Sequence, residues 1–204
     1  MKLFGHPDSG HAFKVRLFLQ VAGINHDYEY VDIHQPREQR SAEFREHARY
    51  GEVPLLIDGG KAYVQSNAIL LYLCQQFGRW GGEDADTFNA CAEWLLWEAN
   101  KTGLCLPQLR SFHKGDADAA LEAAIPWLKA RYEHDINVLE AEFSDGREWI
   151  IGSQAPSIAD FSLCGYLVFA DEAQVAVPAN VSAWLDRLTR LEGWQHPYQL
   201  LATD

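Results

Sequence analysis

The chain has 204 residues, a hydrophobic content of 48% and a formal net charge of −12. This hydrophobic content is enough to bury a core and excludes an intrinsically disordered chain. The acidic charge argues against a nucleic-acid partner and against binding to an anionic membrane surface.

The expected cellular compartment is inferred from targeting signals and from the cysteines. The N-terminus lacks the apolar stretch of a signal peptide, and no transmembrane span is visible. Four cysteines occur without a Cys-x-x-Cys pair, at Cys74, Cys91, Cys105 and Cys164. We therefore expect buried, reduced cysteines in a cytoplasmic protein.

Strand and helix signals alternate along residues 2–77. Strands are predicted at 2–4, 28–33, 55–57 and 62–64, and helices at 12–22, weakly at 37–45, and from Ser66 onward. The helix between the first two strands predicts a parallel pair, and Asp58-Gly59-Gly60 predicts a closing antiparallel hairpin.

The pattern after the linker at 78–84 is helical. Helices are predicted at 85–112, 116–143, from Ser157, and at 179–191, and Pro126 either kinks the second or starts its main part. Ser157 and Asp160 have the spacing of a capping box. The chain thus reads as α/β plus all-α, with domains at 1–78 and 85–204.

Two helix starts in the first domain have spare backbone N–H groups. Ser66 is a candidate N-cap, but Ile69 at the third helical position completes no capping box, which favours a bound carboxylate. Ser9 precedes the first helix in the same way, with Ala12 at that position, and a helix start with a hydroxyl favours a thiolate. Alternatively, Ser9 simply caps its helix.

A peptide-binding edge is predicted between these helix starts. A cis Val53–Pro54 bond would leave the Val53 N–H and C=O free to pair with an extended peptide. A ligand that carries a carboxylate, a peptide bond and a thiol is similar to glutathione.

The motifs Ser9-Gly10-His11, Val53-Pro54, Gln65-Ser66-Asn67-Ala68-Ile69 and Ser157-Ile158-Ala159-Asp160 resemble those of cytosolic glutathione S-transferases of the bacterial serine type. The resemblance spans nearly the whole chain. It implies a thioredoxin-like N-terminal domain, a helical C-terminal domain and a homodimer.

The resemblance also implies roles for individual residues in binding glutathione as co-substrate. Val53, beside Pro54, would pair with the cysteinyl backbone, and Gln65 and Ser66 would hold the γ-glutamyl end. Arg40 would meet the glycyl carboxylate.

Ser9 would donate a hydrogen bond to the sulfur and lower the pKa of the thiol. His11 stands where the family commonly has Asn. It is either a second donor to the sulfur, in its neutral or its protonated form, or a polar residue of the first helical turn. Ala48-Arg49 replaces a usual Asn-Pro, and Glu52 replaces a frequent Lys, which would weaken binding of the glycyl carboxylate unless its side chain points away.

The electrophile pocket and metal binding are harder to read from sequence. Candidates for the pocket, against plain packing, are Trp97, Asn100, Leu104 and Phe112. The histidines are scattered without the spacing of metal ligands, so no metal site is expected.

The predicted activity is attack of the glutathione thiolate on a small hydrophobic electrophile, a detoxification reaction. The alternatives are a glutathione-dependent disulfide reductase, peroxidase or dehalogenase, or a non-catalytic binding module on the same fold. The sequence does not identify the electrophile.

Overall fold

The computed structural model describes residues 1–202. Four strands form one sheet in the order β2-β1-β3-β4. They are β1 (Lys2–Gly5), β2 (Asp27–Tyr30), β3 (Leu55–Asp58) and β4 (Lys61–Val64). Strands β1 and β2 are parallel and the other pairs are antiparallel, as predicted.

Helices cover the sheet and make up the rest of the chain. The first domain contains α1 (Gly10–Val21), α2 (Ala42–His47) and α3 (Ser66–Phe77). The helices that follow are α4 (Ala85–Asn100), α5 (Thr102–Lys114), α6 (Ala119–Glu142), α7 (Ile158–Leu167), α8 (Ala179–Leu188) and α9 (Pro197–Leu200). None of the described helices could cross a membrane, judged by length and apolar character. The architecture is the predicted thioredoxin-like domain followed by a helical domain.

Strand β2 is shorter than the predicted 28–33. Val31 still donates to the Gly5 carbonyl, but the chain then turns, because the Asp32 carboxylate accepts from the His34 backbone N–H. The weak helix predicted at 37–45 is a 3₁₀ turn at Arg37–Gln39 followed by α2.

The predicted helix at 85–112 is two helices. Lys101, with φ −124° and ψ −104°, breaks the α-helical path between α4 and α5. Gly103 permits this break, because a Cβ atom there would lie 2.4 Å from the Glu98 carboxylate oxygen. In the next helix Pro126 is internal to α6, which Asp118 caps.

The two helix starts expected to have spare N–H groups differ from each other. Ser66 is the first residue of α3 and not its N-cap; that position is held by Gln65, and no side chain in the described part of the chain caps this helix. Ser9 does cap α1, since its Oγ accepts from the Ala12 N–H at 3.1 Å. The expectation of an uncapped start is confirmed for α3 and wrong for α1.

Helix α1 packs closely against α7, and this contact joins the two domains. A Cβ atom on Gly10 would lie 2.4 Å from the Gly165 carbonyl oxygen, so the backbones meet where both residues lack a side chain. The main apolar core runs through this contact, from Leu3 of the sheet to Leu163 and Trp184 of the helical domain.

Asp160 ties the helical core together. Its carboxylate accepts from the Ile150 N–H, the Trp184 indole N–H and both the N–H and hydroxyl of Ser157, and its side chain is fully buried. The predicted capping box is present.

We expect Asp160→Ala to lower the free energy of unfolding by at least about 3 kcal/mol, because three or more buried donors lose their acceptor. Urea denaturation measures the change. The matched control is Asp118→Ala, which removes an exposed N-cap and is expected to cost about 1 kcal/mol. Equal losses in the two variants would contradict this account.

Candidate functional site

A cavity of about 420 Å³ lies where the sheet edge, the helix starts of α1 and α3, and α7 meet. It contains all seven residues predicted to bind or activate glutathione. The lining residues are Asp8, Ser9, His11, Ile33, Arg40, Tyr50, Gly51, Glu52, Val53, Pro54, Val64, Gln65, Ser66 and Tyr166.

Ser9 and His11 occupy the α1 end of the cavity. Because the Ser9 oxygen already accepts the Ala12 N–H as helix cap, its own O–H is the part left to donate to a ligand. Burial and, to a smaller extent, the nearby Lys14 charge lower the pKa of His11 to about 4, although Glu98 opposes the shift. The imidazole is therefore neutral near pH 7, and the alternative of a protonated His11 is not supported.

Ser66 connects the α3 start to α1, since its Oγ lies 3.4 Å from the Nδ1 of His11. Gln65 precedes it with φ +70°, a backbone conformation that costs a non-glycine residue about 1–3 kcal/mol. Such strained residues are concentrated at ligand sites, where the surrounding structure holds them in place.

Val53 offers an unpaired peptide edge. The Val53–Pro54 bond is cis, and within residues 1–202 the Val53 N–H and C=O have no hydrogen-bond partner. Strand β3 starts only at Leu55. A bound peptide can therefore pair with Val53 without displacing a bond of the protein.

The charged walls of the cavity differ from the expectation for Arg40. Its guanidinium donates to the carbonyls of Gly51, Ile33 and Gln35, so most of its N–H groups hold the loop. Glu52 does not point away from the cavity; its carboxylate lies 3.4 Å from the Gln65 amide nitrogen.

A buried ion pair supports the site from behind. Lys14 and Glu98 lie 3.0 Å apart, and both side chains are almost fully buried. Glu98 also accepts from Asn67, the neighbour of Ser66, while Ser162 donates to both Asn67 and Glu98. Burial alone would raise the pKa of Glu98, but Lys14, His11 and Asn67 outweigh it and hold that pKa below its usual value.

A second charged cluster lies beside Ser9, on Asp8. Its carboxylate is 2.7 Å from both Arg110 and Lys114, and Tyr198 also donates to it. Burial raises the pKa of Asp8, but the hydrogen bonds from Lys114 and Tyr198 and the two positive charges bring it down to about 2. The loop that carries Ser9 is thereby anchored to the helical domain.

The histidines are less scattered than predicted. The ligand atoms of His6, Asp8 and His34 lie within 4.8 Å of one another, because the loop after β1 and the turn after β2 meet at the sheet edge. The Asp8 carboxylate is already paired with Arg110 and Lys114. The Asp8 carboxylate therefore serves to hold the loop after β1, and we assign no metal to this cluster.

The residues predicted for the electrophile pocket do not line the cavity in the described part of the chain. Trp97 packs edge-on against Trp94, Asn100 is exposed, and Phe112 packs against His113. Leu104 is half-buried beyond the break at Lys101. The residue of α4 that reaches toward the site is Glu98, one position after Trp97.

Tyr166 is a lining residue that the sequence analysis missed. It comes from α7 and is 9% exposed. Its ring meets the His11 imidazole edge-on, with the centroids 4.9 Å apart. The sequence does show that Gly165 and Tyr166 lie in the helix that begins with the capping box. Nothing in the sequence indicates that this part of the helix contacts Gly10.

Two family models match parts of this chain. The family model "Glutathione S-transferase, N-terminal domain" matches residues 3–82, and "Glutathione S-transferase, C-terminal domain" matches residues 117–194. The chain belongs to the glutathione S-transferase family.

Individual relatives are distant and diverse. The disulfide-bond oxidoreductase YfcG of Escherichia coli is 27% identical over 78% of this chain and 74% of its own length. A glutathione S-transferase crystal structure from Xanthobacter autotrophicus has a TM-score of 0.82 at 27% identity, with 95% of each chain covered. Ure2p in complex with glutathione has a TM-score of 0.80 at 19% identity over 93% of each chain, which shows the fold alone.

We expect acid to weaken the fold through His11. A histidine with a lowered folded-state pKa contributes stability that is present above its unfolded pKa of about 6.5 and is lost as the pH falls toward its folded pKa. Between pH 6.5 and 4 the free energy of unfolding of the wild type should fall more steeply than that of His11→Asn, by at most about 1.4 kcal/mol per pH unit.

Urea denaturation at pH 7, 6 and 5 measures this slope. His134→Asn, which replaces an exposed histidine, is the control and should follow the wild type. A His11→Asn variant that keeps the wild-type slope would show that His11 does not titrate abnormally.

We expect Glu98→Gln to lower the free energy of unfolding by about 3–5 kcal/mol, because Lys14 is left as an unpaired buried charge. The double variant Lys14→Met with Glu98→Leu should be more stable than this single variant, because neither charge remains. Thermal and urea unfolding measure both. Asp145→Asn, in an exposed pair with Arg147, is the control and should change stability by less than about 1 kcal/mol.

Proposed function

We propose that this chain is a glutathione transferase of the bacterial serine type, which ionises the thiol of glutathione and directs it at a small hydrophobic electrophile. The observation that carries the proposal is the meeting of Ser9, His11 and Ser66 at two helix starts in one cavity, beside the unpaired backbone of Val53. The family membership supports it.

In the proposed binding mode, each part of glutathione contacts a different group of the cavity. The backbone of Val53 pairs with the cysteinyl residue, and Gln65 and Ser66 with the α3 start bind the γ-glutamyl carboxylate. Arg40 faces the glycyl end, where its positive charge acts together with one N–H that it has left to donate.

The proposed chemistry is stabilisation of a thiolate. The Ser9 O–H donates to the sulfur at the α1 start, and a neutral His11 provides a second polar group there. The thiol proton leaves to solvent, and the sulfur then forms a bond to the electrophilic carbon while the leaving group departs with its electron pair. The nucleophile is the thiolate, so its fraction near neutral pH governs the rate.

The proposed domain bounds, compartment, oligomeric state and co-substrate are those expected for a member of this family. The glutathione-binding domain spans 1–78 and the helical domain 85–204, the protein is cytoplasmic, and it acts as a homodimer. Glutathione is the co-substrate and no metal is required.

A second candidate is reduction of small disulfides, favoured by the likeness to YfcG. The four cysteines of this chain form no disulfide within the described residues and all are buried. Burial raises the pKa of Cys74 to about 12 and that of Cys91 and Cys105 to about 11. The reaction would therefore use two glutathione molecules per disulfide, giving oxidised glutathione and two thiols.

We expect Ser9→Ala to lower kcat/KM for conjugation of a chlorinated arene about 10- to 100-fold, because the sulfur loses a charge-assisted hydrogen bond. Steady-state kinetics with 1-chloro-2,4-dinitrobenzene and glutathione, and with a small disulfide and glutathione, separate the two candidate activities. Turnover of the disulfide alone would favour the second.

The matched control for Ser9 is Ser41→Ala. Ser41 caps α2 just as Ser9 caps α1, but it lies outside the cavity, so this variant removes a helix cap without touching the proposed sulfur site. Ser9→Ala enzyme with undiminished turnover of each active substrate would remove Ser9 from the mechanism.

A further inference from the structure

Tyr166, from the helical domain, lines the same cavity as Ser9 and His11. Its ring stands edge-on to His11, at an interplanar angle of 77°. A polar side chain that is mostly buried and faces a cavity is unusual unless it has a partner there. The position therefore indicates a role toward a ligand.

The backbone contact between α1 and α7 fixes this position. A Cβ atom on Gly10 would lie 2.8 Å from Cδ2 of Tyr166, and one on Gly165 would lie 2.9 Å from the Gly10 carbonyl oxygen. Because both glycines leave room for close approach, Tyr166 is held against the residue that directly follows Ser9. The two hydroxyls thus belong to different domains but share the α1 start.

The Tyr166 hydroxyl keeps its proton and has it to give. Burial raises its pKa to about 12, and the Arg110 charge and the Gly10 backbone amide offset only part of that rise. Over residues 1–202 the hydroxyl has no acceptor for its proton. By contrast, the buried hydroxyl of Tyr132 donates to the Ala176 carbonyl.

We propose that Tyr166 is a second hydrogen-bond donor to the glutathione thiolate, supplied by the helical domain opposite Ser9. This inference rests on the proposed function, since it needs the sulfur at the Ser9 end of the cavity. The thiol proton leaves to solvent, Tyr166 retains its own proton, and no bond of the protein is made or broken. Activation of the thiol then depends on both domains being docked.

The test compares the ionisation of bound glutathione in the wild type and in Tyr166→Phe. The thiolate absorbs in the far ultraviolet, so its fraction is followed against pH with saturating glutathione. Loss of one charge-assisted hydrogen bond should lower the thiolate-to-thiol ratio at pH 7 about tenfold. The dissociation constant of S-methylglutathione, which has no thiol to ionise, should be unchanged.

Two further variants sharpen the comparison. Tyr132→Phe removes a hydroxyl from the helical domain away from the cavity and should leave the bound thiol at its wild-type pKa. Placing 3-fluorotyrosine at position 166 keeps the ring and hydroxyl but makes the O–H a stronger donor, so it should raise the thiolate fraction. This variant also covers the case in which Tyr166→Phe does not fold.

The possible results distinguish failure of the Tyr166 proposal from failure of the proposed function. A wild-type protein that does not bind glutathione would overturn the proposed function and this inference with it. Wild-type binding with an unchanged thiol pKa in Tyr166→Phe would overturn the inference alone. Equal weakening of glutathione and S-methylglutathione would show that Tyr166 only shapes the wall, which also overturns it.

Discussion

The buried ion pair between Lys14 and Glu98 is the interaction on which the arrangement of the site depends. Lys14 belongs to α1, whose start carries Ser9, and Glu98 belongs to α4 of the helical domain. Asn67 of α3 donates a hydrogen bond to Glu98, and Ser162 of α7 donates one to Asn67, so these two helices are also connected to the ion pair. A buried charge without its partner is strongly unfavourable, so these four helices are held in one relative position. The cavity lies beside them, at the starts of α1 and α3 and next to α7.

The positive charges of Lys14 and Arg40, close to the cavity, are largely compensated by other groups of the protein. The Lys14 charge is compensated inside the protein, and it helps to keep His11 neutral. The Arg40 guanidinium mainly satisfies backbone carbonyls. Hydroxyl donors and helix starts stabilise a thiolate without requiring a protonation that changes near neutral pH. Such a site would hold its thiol-activating groups in one protonation state over the pH range in which the thiol itself ionises.

Local signals in the sequence were sufficient for the sheet, the hairpin, the Ser157–Asp160 capping box and the seven cavity residues, because each depends on residues close in the chain or on a motif of the family. The break at Lys101 was missed, since it depends on Gly103 fitting against a Glu98 that is buried by distant residues. Tyr166 was missed for the same reason, because its place is set by contact with Gly10, far away in sequence. The residues predicted for the electrophile pocket lie in α4 and α5, and the break at Lys101 between these two helices could not be read from local signals.

The proposed function requires that this cavity bind glutathione and ionise its thiol. Isothermal titration of the purified protein with glutathione, at two pH values and in two buffers of different ionisation enthalpy, measures both. We expect binding with a micromolar to low-millimolar dissociation constant and net release of protons at the lower pH. Absence of binding heat at both pH values in both buffers would contradict the claim and would point to a protein that kept the fold without the chemistry.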